Sequence, residues 1–191
     1  MTNVSLLKTN QREETRRRLM EAAVTVFSRG GYERSTVDVV ARTAGYSKGA
    51  FYVHFDSKEA LLLQVLSEAA HDAAPVDSRD LQSVTEALVA LVRERPYWAP
   101  LASEFAAHAW RNDEVRAGMA AMWERFVAIL HNALTLEFPE STAPFEQAEL
   151  LVTLFRGAAM QPGASDLDVR RALDAGCRLI GADNGRLRRA A

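Results

Sequence analysis

The amino-acid sequence predicts an all-α protein of about nine helices. Apolar residues recur at helical spacing along almost the whole chain, and no stretch shows the sustained alternation, bounded by hairpin turns, that predicts a strand. Hydrophobic residues make up 48% of the 191 positions, whereas there are only 10 glycines and 6 prolines. This composition excludes disordered and collagen-like chains. The length favours a small domain followed by a medium one.

The first two helices are predicted from apolar periodicity and from their end signals. The first helix carries apolar residues on one face behind an arginine-rich start, and it ends at Gly30 because glycine commonly follows the last helical turn. The second helix begins near Val37 and is about nine residues long. Ser35 is predicted to cap its N-terminus, with Asp38 as the partner in a capping box.

A helix-turn-helix is predicted from the segment that follows. Gly45 supplies a turn position that tolerates a positive φ, and Ser47 is a typical N-cap residue. A third, still shorter helix then runs from about Lys48 to His54. Two short helices around a glycine turn are typical of a helix-turn-helix.

The remaining helices are delimited by capping residues, proline and glycine. Asp56 and Glu59 start the fourth helix, which ends before a break at Pro75, and Asn112 is predicted to cap the seventh. The helices after the break are predicted at about residues 81–95, 98–110, 113–137, 144–160 and 166–181.

The charge of the chain is distributed unevenly. Residues 1–60 carry ten lysines and arginines against seven acidic residues, whereas residues 61–191 carry thirteen against eighteen. A polyanion such as DNA would therefore bind the N-terminal part, although such a split is also common for solvated helix faces.

The most specific feature is the segment 35–58, which reads STVDVVARTAGYSKGAFYVHFDSK. It closely resembles the DNA-binding signature of the TetR family of transcriptional regulators. The resemblance covers roughly residues 12–66, and the matching points are Thr36, Ala41, Ala44-Gly45, Ser47-Lys48-Gly49-Ala50, Phe51-Tyr52-Val53-His54-Phe55 and Lys58-Glu59-Ala60-Leu61.

The resemblance and the chemistry of the side chains together predict a DNA-binding surface. In the family, the positions that match Thr36, Tyr52, His54 and Lys58 contact the DNA backbone, and each has a donor suited to a phosphate oxygen. Lys48 begins the recognition helix and suits a guanine edge, whereas small residues after it allow the helix to approach the groove. The predicted DNA-binding residues are Thr36, Ser47, Lys48, Gly49, Ala50, Tyr52, His54 and Lys58.

Alternative roles stay open for several of these residues. His54 and Tyr52 could serve mainly in packing, and Thr36 could serve only as a helix-start residue. Phe51 and Phe55 are predicted to pack behind the recognition helix, because their spacing faces inward.

The resemblance implies that the rest of the chain binds a small effector and forms a dimer through its last two helices. Residues 1–56 are accordingly predicted to be the DNA-binding domain and residues 57–191 the effector-binding and dimerisation domain, with residues 57–74 as a linking helix. The predicted dimer-interface residues lie on wide apolar helix faces. They are Leu151, Val152, Phe155, Ala159, Leu173, Gly176 and Ile180.

A cluster of aromatic and methionine side chains on two successive helices predicts an adaptable apolar pocket. His108 would be its polar group. The predicted pocket residues are Trp98, Phe105, His108, Trp110, Met119, Met122, Trp123 and Phe126. The predicted pocket residues and the predicted interface residues could instead be ordinary core residues.

These observations predict a homodimeric repressor that binds double-stranded operator DNA and is released by a small hydrophobic effector. The alternative is a TetR-like activator, or a DNA-binding protein controlled by a protein partner. No catalytic motif and no short-spaced metal ligands occur, so we expect no enzyme activity, cofactor or metal. No membrane contact is expected, and the predicted location is the bacterial cytoplasm, on the nucleoid when bound to DNA.

Overall fold

The computed structural model describes the backbone of residues 2–73 and 80–190, and the side chains of residues 10–72 and 80–181. All regular structure in this part of the chain is helical, which confirms the predicted all-α class. The predicted break at Pro75 lies outside the described residues. The described helices are α1 (Thr2–Gly30), α2 (Val37–Thr43), α3 (Lys48–Tyr52), α4 (Lys58–Ala73), α5 (Leu81–Glu94), α6 (Trp98–Ala109), α7 (Asp113–Glu137), α8 (Pro144–Ala159) and α9 (Asp166–Ala190).

The chain divides into two compact units between Leu66 and Ser67. The sequence predicted the boundary earlier, between residues 56 and 57. The first turn of α4 belongs to the N-terminal unit because Lys58 and Glu59 hydrogen-bond to residues of the connection between α1 and α2. None of the described helices is long and apolar enough to cross a membrane.

Helix α1 is longer than its apolar face predicted, because its polar start is also helical. Glu14 forms ion pairs with Arg17 and Arg18, and Arg17 also pairs with Glu21. These partners are three or four residues apart, so they lie next to each other on the helix surface and stabilise it.

Two helix starts differ from the prediction by one residue. Thr36, and not Ser35, caps α2, since the Thr36 hydroxyl accepts a 3.4 Å hydrogen bond from the backbone N–H of Val39. The Ser35 hydroxyl donates instead to the Gly31 carbonyl at 2.7 Å. Ser57, and not Asp56, caps α4 by accepting a hydrogen bond from the N–H of Ala60 at 2.9 Å.

In the C-terminal unit, α8 packs between α7 and α9. Gly176 of α9 lies against α8, and an added Cβ there would lie 2.7 Å from side-chain carbons of Leu151 and Leu154. Because a contact below 3.0 Å is too short, an alanine at this position requires these leucine side chains to shift. The predicted N-cap of α7 is confirmed, since the Asn112 side chain accepts hydrogen bonds from the N–H groups of Glu114 and Val115.

Candidate nucleic-acid interface

The turn between α2 and α3 depends on one glycine. Gly45 has a φ of 82°, a conformation that side chains with a Cβ rarely adopt. The chain reverses there through hydrogen bonds from the N–H of Gly45 to the Arg42 carbonyl and from the N–H of Tyr46 to the Ala41 carbonyl. The predicted helix-turn-helix is thus formed, with α3 in the position of the recognition helix.

Helix α3 begins at the predicted residue. The Ser47 hydroxyl accepts a 3.2 Å hydrogen bond from the N–H of Ala50, which confirms Ser47 as the N-cap. The helix ends at Tyr52, so His54 lies beyond it rather than at its last turn. Lys48 is therefore the first helical residue and is exposed.

One side of α3 is buried and the other side is open. Phe51 is fully buried and Phe55 is 5% exposed, as the sequence predicted for packing residues. On the open side, Tyr52 is 50% exposed and Val53 is 64% exposed. Such a surface can enter a groove of DNA while the phenylalanines hold the helix to the rest of the unit.

Lys48 and Thr36 both lie on the exposed surface of the helix-turn-helix. The Lys48 ammonium lies 3.5 Å from the carboxylate of Asp38, on α2. Both side chains are more than half exposed, so the pair is weak and can separate when a stronger partner arrives. The Thr36 hydroxyl oxygen caps α2, which leaves its hydrogen able to reach a phosphate.

His54 is half-buried beside an arginine-rich face of α1. Burial lowers the pKa of its imidazole, and the positive charges of Arg12 and Arg16 lower it further. The imidazole is thus neutral at neutral pH, when it can donate one hydrogen bond. Arg12 and Arg16 were not among the predicted site residues, although their helical spacing places them on one face.

Lys58 has partners inside the N-terminal unit. Its ammonium donates hydrogen bonds to the carbonyls of Tyr32, at 3.0 Å, and Ser35, at 3.1 Å. It also lies 4.1 Å from the centroid of the Tyr32 ring. Lys58 therefore holds the connection between α1 and α2, and its phosphate contact stays a prediction, because the two carbonyls use only two of the three N–H donors of the ammonium.

Residues 19–65, which include the whole helix-turn-helix, match the family model described as bacterial regulatory proteins, tetR family. The helix-turn-helix is therefore of the type found in this family. The N-terminal unit is thus similar to the DNA-binding domain of TetR-type transcriptional regulators.

Curated relatives match part of the chain. The HTH-type regulator YfiR of Bacillus subtilis is 29% identical over 119 residues, which are 57% of this chain and 58% of YfiR. The HTH-type regulator SrpR of Pseudomonas putida is 44% identical over 59 residues, or 31% of this chain and 28% of SrpR. The chain thus matches less than two thirds of the length of these relatives.

Solved structures of TetR-type regulators share the fold over most of the chain. A regulator from Haloarcula marismortui superimposes with a TM-score of 0.76 at 16% identity, over 89% of this chain and 98% of that one. A TetR-family regulator from Rhodococcus sp. superimposes with a TM-score of 0.70 at 25% identity, over 85% of this chain and 96% of that one. The likeness of fold therefore extends into the C-terminal unit.

Most of the residues predicted to form the effector pocket belong to the core of the C-terminal unit. His108 and Trp123 are half-buried. The prediction for Trp110 is wrong, because this side chain is 87% exposed at the end of α6. The buried members of the set are Trp98, Phe105, Met119, Met122 and Phe126.

An open groove of about 640 Å³ lies between α7 and α8. Trp123 is the member of the predicted pocket set that lines it. The guanidinium of Arg156 lies 5.6 Å from the Trp123 ring centroid, at the edge of the groove. Other lining side chains include Val127, His131, Phe145 and Val152.

The residues predicted to form the dimer interface are buried within a single chain. They pack within the C-terminal unit and offer little surface to a partner, although Val152 also borders the groove between α7 and α8. This residue assignment is corrected because apolar periodicity identifies a buried face but not the element that buries it. The residues concerned are Leu151, Val152, Phe155, Ala159, Leu173, Gly176 and Ile180.

Proposed function

We propose that the protein is a homodimeric transcriptional repressor that binds a pseudo-palindromic operator and is released by a small hydrophobic molecule. The observation that carries the proposal is the exposed side of α3, with Lys48, Tyr52 and Val53 held outward over buried phenylalanines. A recognition helix of this length reads only a few base pairs, so two copies related by a two-fold axis are needed for a specific site.

The dimer is proposed to form through the outer surfaces of α8 and α9, as the family resemblance implies. Two leucines are exposed there, Leu150 at 41% and Leu179 at 66%. Gly157 is also exposed, and an added Cβ at this position would meet no atom within 4 Å. Exposed apolar and small residues on two adjacent helices suit close packing against a second copy.

Sedimentation velocity tests the dimer. A variant with both Leu150→Glu and Leu179→Glu should sediment as a monomer and lose operator affinity, because charge would be buried in the interface. Leu136→Glu is the matched control, since Leu136 is 65% exposed on α7. A double variant that stays dimeric would contradict this surface assignment.

The effector is proposed to bind the groove between α7 and α8. Trp123, Phe145 and Val152 give the groove apolar walls, and Arg156 places a cation at its edge. A hydrophobic molecule with an acceptor group for Arg156 suits these walls. Such a molecule would reduce operator affinity if it binds more tightly to a dimer whose recognition helices are not positioned for the operator. The coupling free energy is expected to be about 1–3 kcal/mol.

A thermal-shift screen of lipophilic compounds tests effector binding, because a ligand that binds only the folded state raises the melting temperature. Trp123→Ala should reduce the shift and leave ligand-free operator binding intact. An equal shift in the variant and the wild type would remove Trp123 from the effector site.

Selection from a random DNA library, followed by transcription in vitro, tests the repressor. The wild-type protein should select a sequence with two symmetric halves and should lower transcription from a promoter that contains it. Increased transcription would identify an activator instead. Failure to select any sequence would contradict specific DNA binding.

A further inference from the structure

We propose that Arg12, on α1, binds a phosphate of the DNA backbone next to His54 and thereby extends the DNA-binding surface beyond the helix-turn-helix. This inference rests on the proposed DNA-binding function. It concerns a residue outside the predicted set of DNA contacts, and the residue lies on a different helix from α2 and α3.

The position of Arg16 shows which face of α1 lies near the end of the helix-turn-helix. The carbon at the centre of the Arg16 guanidinium lies 5.1 Å from the centroid of the Phe55 ring. Arg12 precedes Arg16 by one helical turn and therefore shares its face. Because His54 is the chain neighbour of Phe55, this arginine face and the imidazole lie side by side.

The electrostatic surroundings of His54 agree with this geometry. Arg12 and Arg16 both disfavour the protonated imidazole, so both act on it as nearby positive charges. The guanidinium groups of Arg12 and Arg16 and the imidazole of His54, which can all donate hydrogen bonds, thus lie at one edge of the N-terminal unit. A phosphate oxygen would offset the mutual repulsion of the two guanidinium groups and accept hydrogen bonds from them.

The two arginines that follow Arg16 on α1 have acidic partners. Arg17 and Arg18 form ion pairs with Glu14, and Arg17 also pairs with Glu21. These carboxylates offset the charge of the two arginines. Arg12 is exposed and lies on the side of α1 nearer His54, so removal of its charge should affect bound DNA more than removal of the charge of Arg17, which has two acidic partners.

The two arginines provide a matched pair of variants for the full-length protein. Binding to a random-sequence DNA duplex would be titrated at about 50 to 200 mM salt. Arg12→Ala should reduce the slope of log K against log salt by about 0.9 for each bound subunit, and Arg12→Lys should retain the slope. Arg17→Ala removes the same charge but should leave the slope unchanged.

The outcomes separate this inference from the proposed function. An unchanged slope for Arg12→Ala, or equal losses for Arg12→Ala and Arg17→Ala, would overturn the Arg12 contact while specific DNA binding stands. If the wild-type protein binds no DNA duplex, the proposed function fails and the Arg12 contact fails with it. Melting temperatures close to the wild-type value would exclude misfolding, which is expected because Arg12 is exposed.

Discussion

The ammonium group of Lys58 lies above the aromatic ring of Tyr32, 4.1 Å from its centroid. Glu59, the next residue, accepts a 2.9 Å hydrogen bond from the Tyr32 hydroxyl. The first turn of α4 thus holds both the ring and the hydroxyl of Tyr32, and the same lysine donates to the carbonyl of Ser35. Since Thr36 follows directly and caps α2, this contact positions the start of the helix-turn-helix.

Lys58→Met should destabilise the protein by about 1–3 kcal/mol, because it removes the cation–π contact and two charge-assisted hydrogen bonds to partly buried carbonyls. DNA affinity should fall, but the salt dependence of binding should not change. Denaturant unfolding and DNA titrations at several salt concentrations would measure the two effects. The opposite result, unchanged stability with a smaller salt slope, would support the phosphate contact that the sequence predicted.

Lys48→Ala should relax the base preference at one symmetric pair of operator positions, at a cost of about 1–3 kcal/mol if Lys48 meets a guanine edge. Asp38→Asn should instead strengthen binding to all duplexes, since it removes the carboxylate that lies 3.5 Å from the Lys48 ammonium. Titrations against the selected operator and single-base variants of it would distinguish the two changes. Equal loss of affinity for every duplex in Lys48→Ala would show that Lys48 is a phosphate contact.

Gly176→Ala should destabilise the C-terminal unit by about 1–3 kcal/mol, because the new methyl group would overlap the side chains of Leu151 and Leu154. Gly181→Ala on the same helix is the control, since its Cβ would meet no atom within 4 Å. That variant should be neutral or more stable by up to about 1 kcal/mol, because alanine favours helix. Urea unfolding of the two variants would compare them, and equal stabilities would contradict the close approach of α8 and α9.

The His54 environment predicts a pH dependence of stability. The pKa of His54 is lower in the folded protein than its ordinary value of 6.5, so the unfolded chain binds more protons in the interval between the two values. The contribution of His54 to the free energy of unfolding is thus present above about pH 6.5 and is lost as the pH falls through the folded-state pKa. Unfolding free energies measured from neutral to mildly acidic pH should fall less steeply in His54→Gln than in the wild type, and parallel curves would contradict the prediction.

Local features of the N-terminal unit could be predicted from the sequence, because they depend on residues close together in the chain. Ser47 caps α3 through the N–H three residues later, and Gly45 supplies a positive φ within the turn. The burial of Phe51 and Phe55 follows from helical spacing in the same way. The family signature is likewise a contiguous segment.

Where two suitable side chains adjoin, the sequence does not decide which of them caps the helix. Ser35 and Thr36 are both good N-cap residues, and the sequence analysis chose Ser35. The structure decides for Thr36 because the Ser35 hydroxyl is bound to the Gly31 carbonyl at the end of the preceding helix.

By itself, the sequence determined the helical class, most helix limits, the helix-turn-helix and its resemblance to the TetR family. Tertiary structure alone decided the role of Lys58, whose partners Tyr32 and Ser35 lie more than twenty residues away in the chain. It also decided that Phe155 packs inside its own subunit and that Trp110 faces solvent. Apolar periodicity gives the face of a helix that is buried, whereas the partner that covers this face depends on how the helices pack in three dimensions.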